Sequence, residues 1–547
     1  MKEQQNKGLE TGQCDTRRYL VDIDSIATQQ LFTDCLVIGS GIAGLRTAIE
    51  ASAHSNVILV TKGKLENSNT WHAQGGIASV LRKVDSFESH TADTLKAGCG
   101  LGDDQIVDMV VRRGPTLTQQ LVEWGTAFDI VDGQIDTTLE GGHSQPRIAH
   151  AHGDETGRII AQALINKVKA CPNIKTLEHF FSIDLLTDED NRCVGLIGRS
   201  QNNGGYQIIW AANTILATGG LGQLYRETTN PDVATGDGLA MAYRAGAVLR
   251  DMELIQFHPT TLYIAGASRA LITETLRGEG AFLVDCNGCR FMAQYDPAEE
   301  LAPRDVVSRA ILAQMRKTES THVFLDIRHF NKGHFKKRFP LISGICEDFD
   351  IDTSKALIPV RPSAHYMLGG VKTDSHGRTS IKNLLACGEV ASTGLHGANR
   401  LGSNSLLEGL VFGSICGQTI EASGKPDIGS MHHPVMQYTV PTSSRSRLDT
   451  VDVRNSLRAL MWRNVGITRT ERPLAEAMEI IGFWQRYVMD KAFSCQPGWE
   501  CQNMLTVAML MAQCASLRKE SRGVHYRMDH PTANDETFKH HIEIAKG

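Results

Sequence analysis

An unbroken apolar run from Cys35 to Ile38 stops at Gly39, and apolar positions resume at Ala43, Leu45, Ala48 and Ile49 with helical spacing. The pattern predicts a buried parallel strand, a tight turn and a helix folded back on the strand, with a second buried strand from Val57 to Val60. Gly39, Gly41 and Gly44 hold the G-x-G-x-x-G spacing of a dinucleotide-binding turn. The first lets the chain turn, the second lets a pyrophosphate approach the helix N-terminus, and the third lets helix and strand pack closely. The acid expected at the end of the second strand is replaced by Thr61-Lys62, which argues against ordinary NAD recognition.

Further along, helical periodicity is predicted at 105–124. Strand-like pieces at 174–187, 192–200 and 205–210 predict a small antiparallel meander. Asn213 to Gly220 then reads as another buried strand ending in glycines, and Thr235 to Ala242 as a glycine turn opening a helix. From 252 to 366 the composition shifts toward scattered Arg and His. Within that stretch Ala281 to Phe291 reads as a hairpin with Asn287-Gly288 as a type I′ turn, which gives Cys286 and Cys289 a structural rather than redox or metal-binding explanation. Strand, glycine loop and helix return between Asn383 and Gly409, and helical periodicity fills 451–464, 471–490 and 499–519.

These readings divide the chain into an N-terminal extension (1–33), a nucleotide-binding domain in two parts (34–251 and 367–436), an inserted domain (252–366) and a separate helical domain (437–547). The first half of the extension reads as disordered, and Tyr19 to Ile23 as a further edge strand. At 547 residues the chain is long enough for two or three domains. A net charge of −5 provides no basic field for nucleic acid, and no run of 18 apolar residues is present to span a bilayer. The 13 cysteines are scattered without a disulfide framework. With a polar N-terminus, these features predict a cytoplasmic protein.

Candidate chemistry gathers in two kinds of place. Asn67 to Ile77 is a turn-rich stretch with hydrogen-bonding side chains and glycines that would admit a flat ring, and Leu139 to Arg147 concentrates titratable groups in a loop. The inserted region adds His258, Thr273, Arg304 and His365, with Arg400 following from the last glycine block. Arginine holds a carboxylate through two parallel hydrogen bonds, and His and Thr supply further donors, so the residue types suit a dicarboxylate. Singly, each has an ordinary structural reading.

Taken together in order, Gly39-Ser-Gly-Ile-Ala-Gly44, Ala73-Gln-Gly-Gly-Ile77, Ala217-Thr-Gly-Gly220, Thr235-Gly-Asp-Gly238, Gln256-Phe-His-Pro-Thr260, Leu271 to Gly280, Ala302 to Val307, the His365 block, Gly394 to Arg400 and Glu520-Ser-Arg-Gly523 resemble the flavoprotein family of succinate dehydrogenase and fumarate reductase. The resemblance spans about residues 33 to 531. It implies an α/β fold: a Rossmann-like FAD-binding domain interrupted by an α+β capping domain and followed by a C-terminal helical domain. It also implies FAD contacts at Gly39, Gly41, Ile42, Ala43 and Gly44, at Lys62 beside the nucleotide, and at Asp237 near the ribose. Ser68, Thr70, Gln74, Gly75 and Gly76 would lie near the isoalloxazine, and Glu389, Ser403, Ser405 and Leu406 along the ribitol and ring. Asn69 stands where covalently flavinylated relatives carry histidine, so non-covalent FAD is expected.

By the same resemblance Arg400 and His365 clamp one substrate carboxylate and His258 with Thr273 the other. Arg304 is the proton-transfer group, with Glu274 and Arg277 as its relay. Glu140 matches the aspartate-oxidising branch of the family, where a carboxylate meets the substrate ammonium. The expected reaction is oxidation of L-aspartate to iminoaspartate, with oxygen (giving hydrogen peroxide) or fumarate as acceptor, feeding quinolinate and NAD synthesis with hand-over to quinolinate synthase. Monomer and homodimer stay open, and no metal is called for. A fumarate reductase or succinate dehydrogenase subunit is the nearer alternative; a non-catalytic flavin-binding assembly or tRNA-modification partner is the other.

Overall fold

A computed structural model describes residues 16–201, 204–266, 269–422 and 433–546. Met1 to Asp15, expected to be disordered, lie outside the described residues. The central sheet has seven strands in which Gln29–Ile38 lies between Val57–Val60 and Tyr206–Leu216, all parallel. Val57–Val60 and Leu36 to Ile38 are buried on both faces, which is why they read as continuous apolar runs. The first strand begins six residues earlier than its apolar run, because the largely exposed Gln29 to Phe32 already pair with Gln207 to Trp210 before the chain enters the core.

The sequence reading of a separate meander needs correction. Phe180–Thr187, Cys193–Ser200 and Tyr206–Leu216 do form an antiparallel meander. The third strand, however, runs on into the parallel sheet, so the strands expected at 205–210 and within 213–220 are one, which ends at Leu216. Ile174–Leu177 is a different element, a parallel edge beside Val57–Val60. Helices Phe87–Ala97 and Thr156–Ala170 were not anticipated. Of the expected edge strand Tyr19 to Ile23, Ile23 alone is in strand, as part of Ile23–Asp24 paired with Gln437–Tyr438, while Leu20 is tied by its N–H to the Asp184 carboxylate at 2.7 Å.

Helix Ile42–Ala51 follows the glycine turn closely. Gly39 has φ +114°, and a Cβ there would lie 2.1 Å from the Ala217 carbonyl oxygen; one on Gly44 would lie 1.9 Å from the Gly39 carbonyl. Both positions therefore require glycine for steric reasons. The long helix Asn404–Ala422 packs on Ile42–Ala51 through Gly409, Gly413 and Gly417, where a Cβ would strike Ile42, Ala43 or Arg46, and Glu50. This contact brings Ser405 and Leu406 over the dinucleotide turn.

Between the two parts of this framework, a four-stranded antiparallel sheet of Phe282–Val284, Val323–Asp326, Ile358–Met367 and Ile255–Leu262 is covered by helices Arg304–Lys317 and Pro340–Asp348 around its own apolar core. Its hairpin loop differs from the expected type I′ turn. Asp285 N–H bonds the Cys289 carbonyl, Gly288 N–H bonds the Asp285 carbonyl, and only Gly288 has positive φ. A type I′ turn needs positive φ at both central residues, so the loop is Cys286 to Gly288 with glycine in the left-handed position. Both cysteines are exposed and free.

Helices Thr450–Asn464, Glu471–Val488 and Gln496–Leu517 form the C-terminal region. The last of them is buried on nearly all sides and shares one apolar cluster with the meander and with helix Asp237–Arg244. Below it Arg518 is buried between Glu253 (2.5 Å), Glu520 (3.2 Å) and Asp251 (3.3 Å), fastening the C-terminal segment beneath the inserted region. Among the described residues no helix is long and apolar enough to cross a membrane.

Candidate active site

A cavity of about 840 Å³ runs from the glycine turn to the junction with the inserted sheet. That is within the size range of cofactor sites. Gly39, Gly41, Ile42, Ala43, Lys62, Ser68, Thr70, Gln74, Asp237, Glu389, Ser405 and Leu406 line it. Gly41 faces open space apart from the Thr70 hydroxyl, which accepts the Ile42 N–H at 3.0 Å. Lys62 and Asp237 were assigned to nucleotide contacts; the structure pairs them directly at 2.8 Å, with Glu500 of the C-terminal region 2.5 Å from the same ammonium. The two carboxylates hold the Lys62 pKa above its ordinary value despite burial.

Not every residue assigned to the cofactor reaches the cavity. Gly44 is inside the helix–strand contact, and Gly76 faces the carbonyl of Ala149, 2.4 Å from where its Cβ would sit. Gly75 and Ser403 point instead to Glu140: Ser403 donates to its Oε2 at 2.8 Å, and a Cβ on Gly75 would lie 3.8 Å from its Oε1.

Where the cavity meets the inserted sheet, Glu389 accepts from the Met367 N–H at 3.0 Å and from Asn69 Nδ2 at 2.8 Å. Burial pushes its carboxyl up to about 6. The Asn69 and Gln74 carbonyl oxygens are buried without a partner. Buried polar atoms ordinarily find partners, so a wall that leaves these two unpaired fits a polar ring edge laid against it.

The charged residues meet where the inserted sheet abuts the Ser403 turn. Pro303 starts helix Arg304–Lys317, and Arg304 at its first position turns back to Glu274, Nε to Oε2 at 2.5 Å. Glu274 accepts on its other oxygen from Arg277 at 2.9 Å, so Arg304, Glu274 and Arg277 form one continuous chain of hydrogen bonds. Burial acts to raise the Glu274 pKa, but the two guanidiniums hold it below the usual carboxylate value.

Glu140 accepts from Ser403 and, at 3.0 Å, from Thr275. Burial, reinforced by the charge of Glu274, raises its pKa. The two neighbouring carboxyls are thus driven apart, one toward the charged form and one toward the neutral form. A Cβ on Gly402 would sit 3.1 Å from Glu140, 3.3 Å from Arg304 and 3.4 Å from Glu274, which shows how tightly the three converge.

His258 and His365 lie on adjacent strands with ring centroids 5.1 Å apart. His258 is held by the Thr260 carbonyl at 3.1 Å and His365 by the Thr229 hydroxyl at 2.9 Å. Burial pushes both well below the usual imidazole value, assisted by Arg304 for His258 and by Arg400 then Arg304 for His365, so both are neutral donors or acceptors. Thr273 Oγ1 lies 3.2 Å from Thr275 Oγ1. Arg400 packs 4.3 Å over the Tyr366 ring and donates to Ser405; burial and the nearby Arg304 bring its pKa down to about 10.

One organising residue was not singled out from sequence. Gln256 accepts with a single carbonyl oxygen from Arg400 at 3.1 and 3.2 Å and from Arg304 at 3.3 Å, and its amide donates to Asn399 and to the Arg400 carbonyl. It holds two like-charged guanidiniums together. Its place two residues before His258, inside the Gln256-Phe-His-Pro-Thr260 block, was the available signal.

Comparison with known proteins identifies the family. Residues 34–406 match the model of a FAD binding domain, and residues 454–546 match that of the fumarate reductase flavoprotein C-terminus. The flavoprotein chain of E. coli quinol fumarate reductase superposes with a TM-score of 0.88 at 33% identity, covering 94% of each chain. The protein is therefore a FAD-binding flavoenzyme of the fumarate reductase type. Its sequence is 40% identical to L-aspartate oxidase of Streptomyces coelicolor, over 93% of this chain and 91% of that one, and 42% identical to L-aspartate oxidase 1 of Ralstonia nicotianae, over 91% and 95%. The chain belongs to the L-aspartate oxidase family.

Proposed function

We propose that the protein oxidises L-aspartate to iminoaspartate. FAD, held non-covalently by the residues that line the cavity, would supply the acceptor for the hydride leaving C2. Asn69 supports non-covalent binding, because its amide carries no nucleophile and is engaged with Glu389. Arg400 and His365 hold one carboxylate, and His258 and Thr273 hold the other. Arg304 stands ready for the proton, with Glu274 and Arg277 directly connected behind it. Free arginine is a poor base at neutral pH, so the short charge-assisted bond to Glu274 is what permits a transient proton shift along the chain.

The observation that carries the choice of an amine substrate is buried Glu140, within contact distance of the same point as Arg304. An ammonium placed there meets a carboxyl already oriented by Ser403 and Thr275, and its charge draws Glu140 back to the ionised form. Oxygen, giving peroxide, or fumarate takes the electrons afterwards. The imine hydrolyses readily in water, which favours prompt consumption by a quinolinate-forming enzyme in the cytoplasm, whether the protein works as monomer or homodimer. Anaerobic mixing of the yellow holoprotein with aspartate should bleach the flavin band, and succinate should not; a band unchanged by aspartate would refute the reading.

A further inference from the structure

The segment from Thr228 to Val233, with Arg226 just before it, lines one border of the cavity, and Asp232 there is exposed. Arg226 lines the cavity while 63% of its side chain is exposed, so it stands at the mouth. Arg269, from the inserted region, and Arg458, from the C-terminal region, line the same mouth. Their negative counterweight is small. Glu227 is buried and shared: Arg269 Nε reaches it at 2.5 Å, Arg226 at 3.1 Å and Arg361 at 3.7 Å. Asp232 is the other acid there. Three guanidiniums at the cavity, with Arg361 buried behind them, therefore share two carboxylates. Across the cleft Arg158 and Glu155 neutralise each other at 2.8 Å, and Asp154 is taken up by the Leu341 and Ile342 N–H groups.

We propose that this arginine cluster is a collecting vestibule for the dicarboxylate substrate, a transient anion site between solvent and the reaction pocket. It rests on the functional reading above only for the identity of the anion. Three features support it. The cluster draws on three regions of the chain, all at one opening. It adjoins the proposed clamp, since Thr229, three residues after Arg226, fixes His365. Arg458 is half-buried and turned to the cavity, with its Nε on the Tyr225 carbonyl at 3.3 Å, and is not consumed by a close carboxylate. Positive charge on low-dielectric walls at an opening raises the local concentration of anions and their rate of entry, and salt abolishes the effect. Fumarate carries two net negative charges and aspartate one, so the vestibule speeds fumarate entry more.

The test uses holoprotein in which Arg226 and Arg458 are both replaced by glutamine. Arg269 is left alone because it also ties the inserted region to Glu227. At constant low ionic strength, iodide should quench flavin fluorescence about 2- to 5-fold less in the variant than in the parent, while neutral acrylamide quenches both equally. The second-order rate of flavin bleaching by aspartate, and of reoxidation of reduced flavin by fumarate, should fall by similar factors, more for fumarate. The differences should vanish near 0.5 M salt, roughly where the Debye length has shrunk below the width of the mouth. Equal iodide quenching, or rate losses untouched by salt, would overturn the proposal. A parent protein that aspartate cannot bleach would instead overturn the assigned reaction, leaving the iodide comparison to judge the vestibule by itself.

Discussion

The cofactor cavity and the proposed substrate pocket share a wall but are built differently. The cavity is mainly backbone and small polar groups around a strand–turn–helix unit, held by close packing at Gly39, Gly44 and the Gly409 to Gly417 stripe. The pocket is a cluster of buried charges, Arg304, Glu274, Arg277, Arg400 and Glu140, supported by Gln256, Ser403 and Thr275. In the first, geometry follows from local chain conformation. In the second, each charge depends on partners brought from distant segments, and removing one leaves another unpaired at low dielectric. Damage to the cavity should therefore cost the cofactor, whereas damage to the pocket should leave a yellow but impaired enzyme.

The most severe break is expected at Gly39→Val, which combines a forbidden φ with a backbone clash. It should yield protein without flavin absorbance, and recovery of stoichiometric FAD would show the turn to be more pliable than its geometry implies. Next comes Arg304→Lys. The fork on Glu274 and Gln256 is lost while a positive charge remains, so flavin should be retained and turnover should fall by about 10³-fold or more. Near-normal turnover would remove Arg304 from the proton-transfer role.

Smaller and more selective is Glu140→Gln, expected to reduce kcat/KM for aspartate by roughly 10- to 100-fold while fumarate reduction changes by less than about 3-fold, since fumarate has no ammonium to meet. Equal losses would dissociate Glu140 from amine recognition. Glu274→Gln interrupts the chain behind Arg304 without removing its bulk. Flavin should be retained while turnover drops across the pH range, because the hydrogen-bonded chain behind Arg304 is broken; turnover superimposable on the parent's at every pH would exclude the relay.

The smallest effect is on the cavity side and concerns the apoprotein. The Glu389 carboxyl is raised from an ordinary 4.5 to about 6, chiefly by burial. A raised folded-state value means that its stabilising contribution is present below about 4.5 and is lost as pH rises through about 6. Apoprotein carrying Glu389→Gln should lack that component, so the parent's Tm should fall relative to the variant's as pH rises between those two values. Scanning calorimetry of both apoproteins would show it, and parallel Tm curves would contradict it.

Local sequence determined the dinucleotide turn, because glycine spacing and a doubly buried strand impose their conformation over a few residues, and it determined the three C-terminal helices through their 3.6-residue periodicity. The blocks around His258, Arg304, His365 and Arg400 announced anion chemistry by residue type. Only the tertiary structure decided that Lys62 meets Asp237 and Glu500, that Gln256 binds two guanidiniums, and that Glu140 and Glu274 become chemically unlike. It also joined the expected meander to the parallel sheet, since the pairing of Tyr206–Leu216 changes partners partway along while its apolar pattern does not. The physical reason is range: turns and periodicity are set by neighbours in the chain, whereas the state of a buried charge is set by whichever charges and dipoles folding brings beside it.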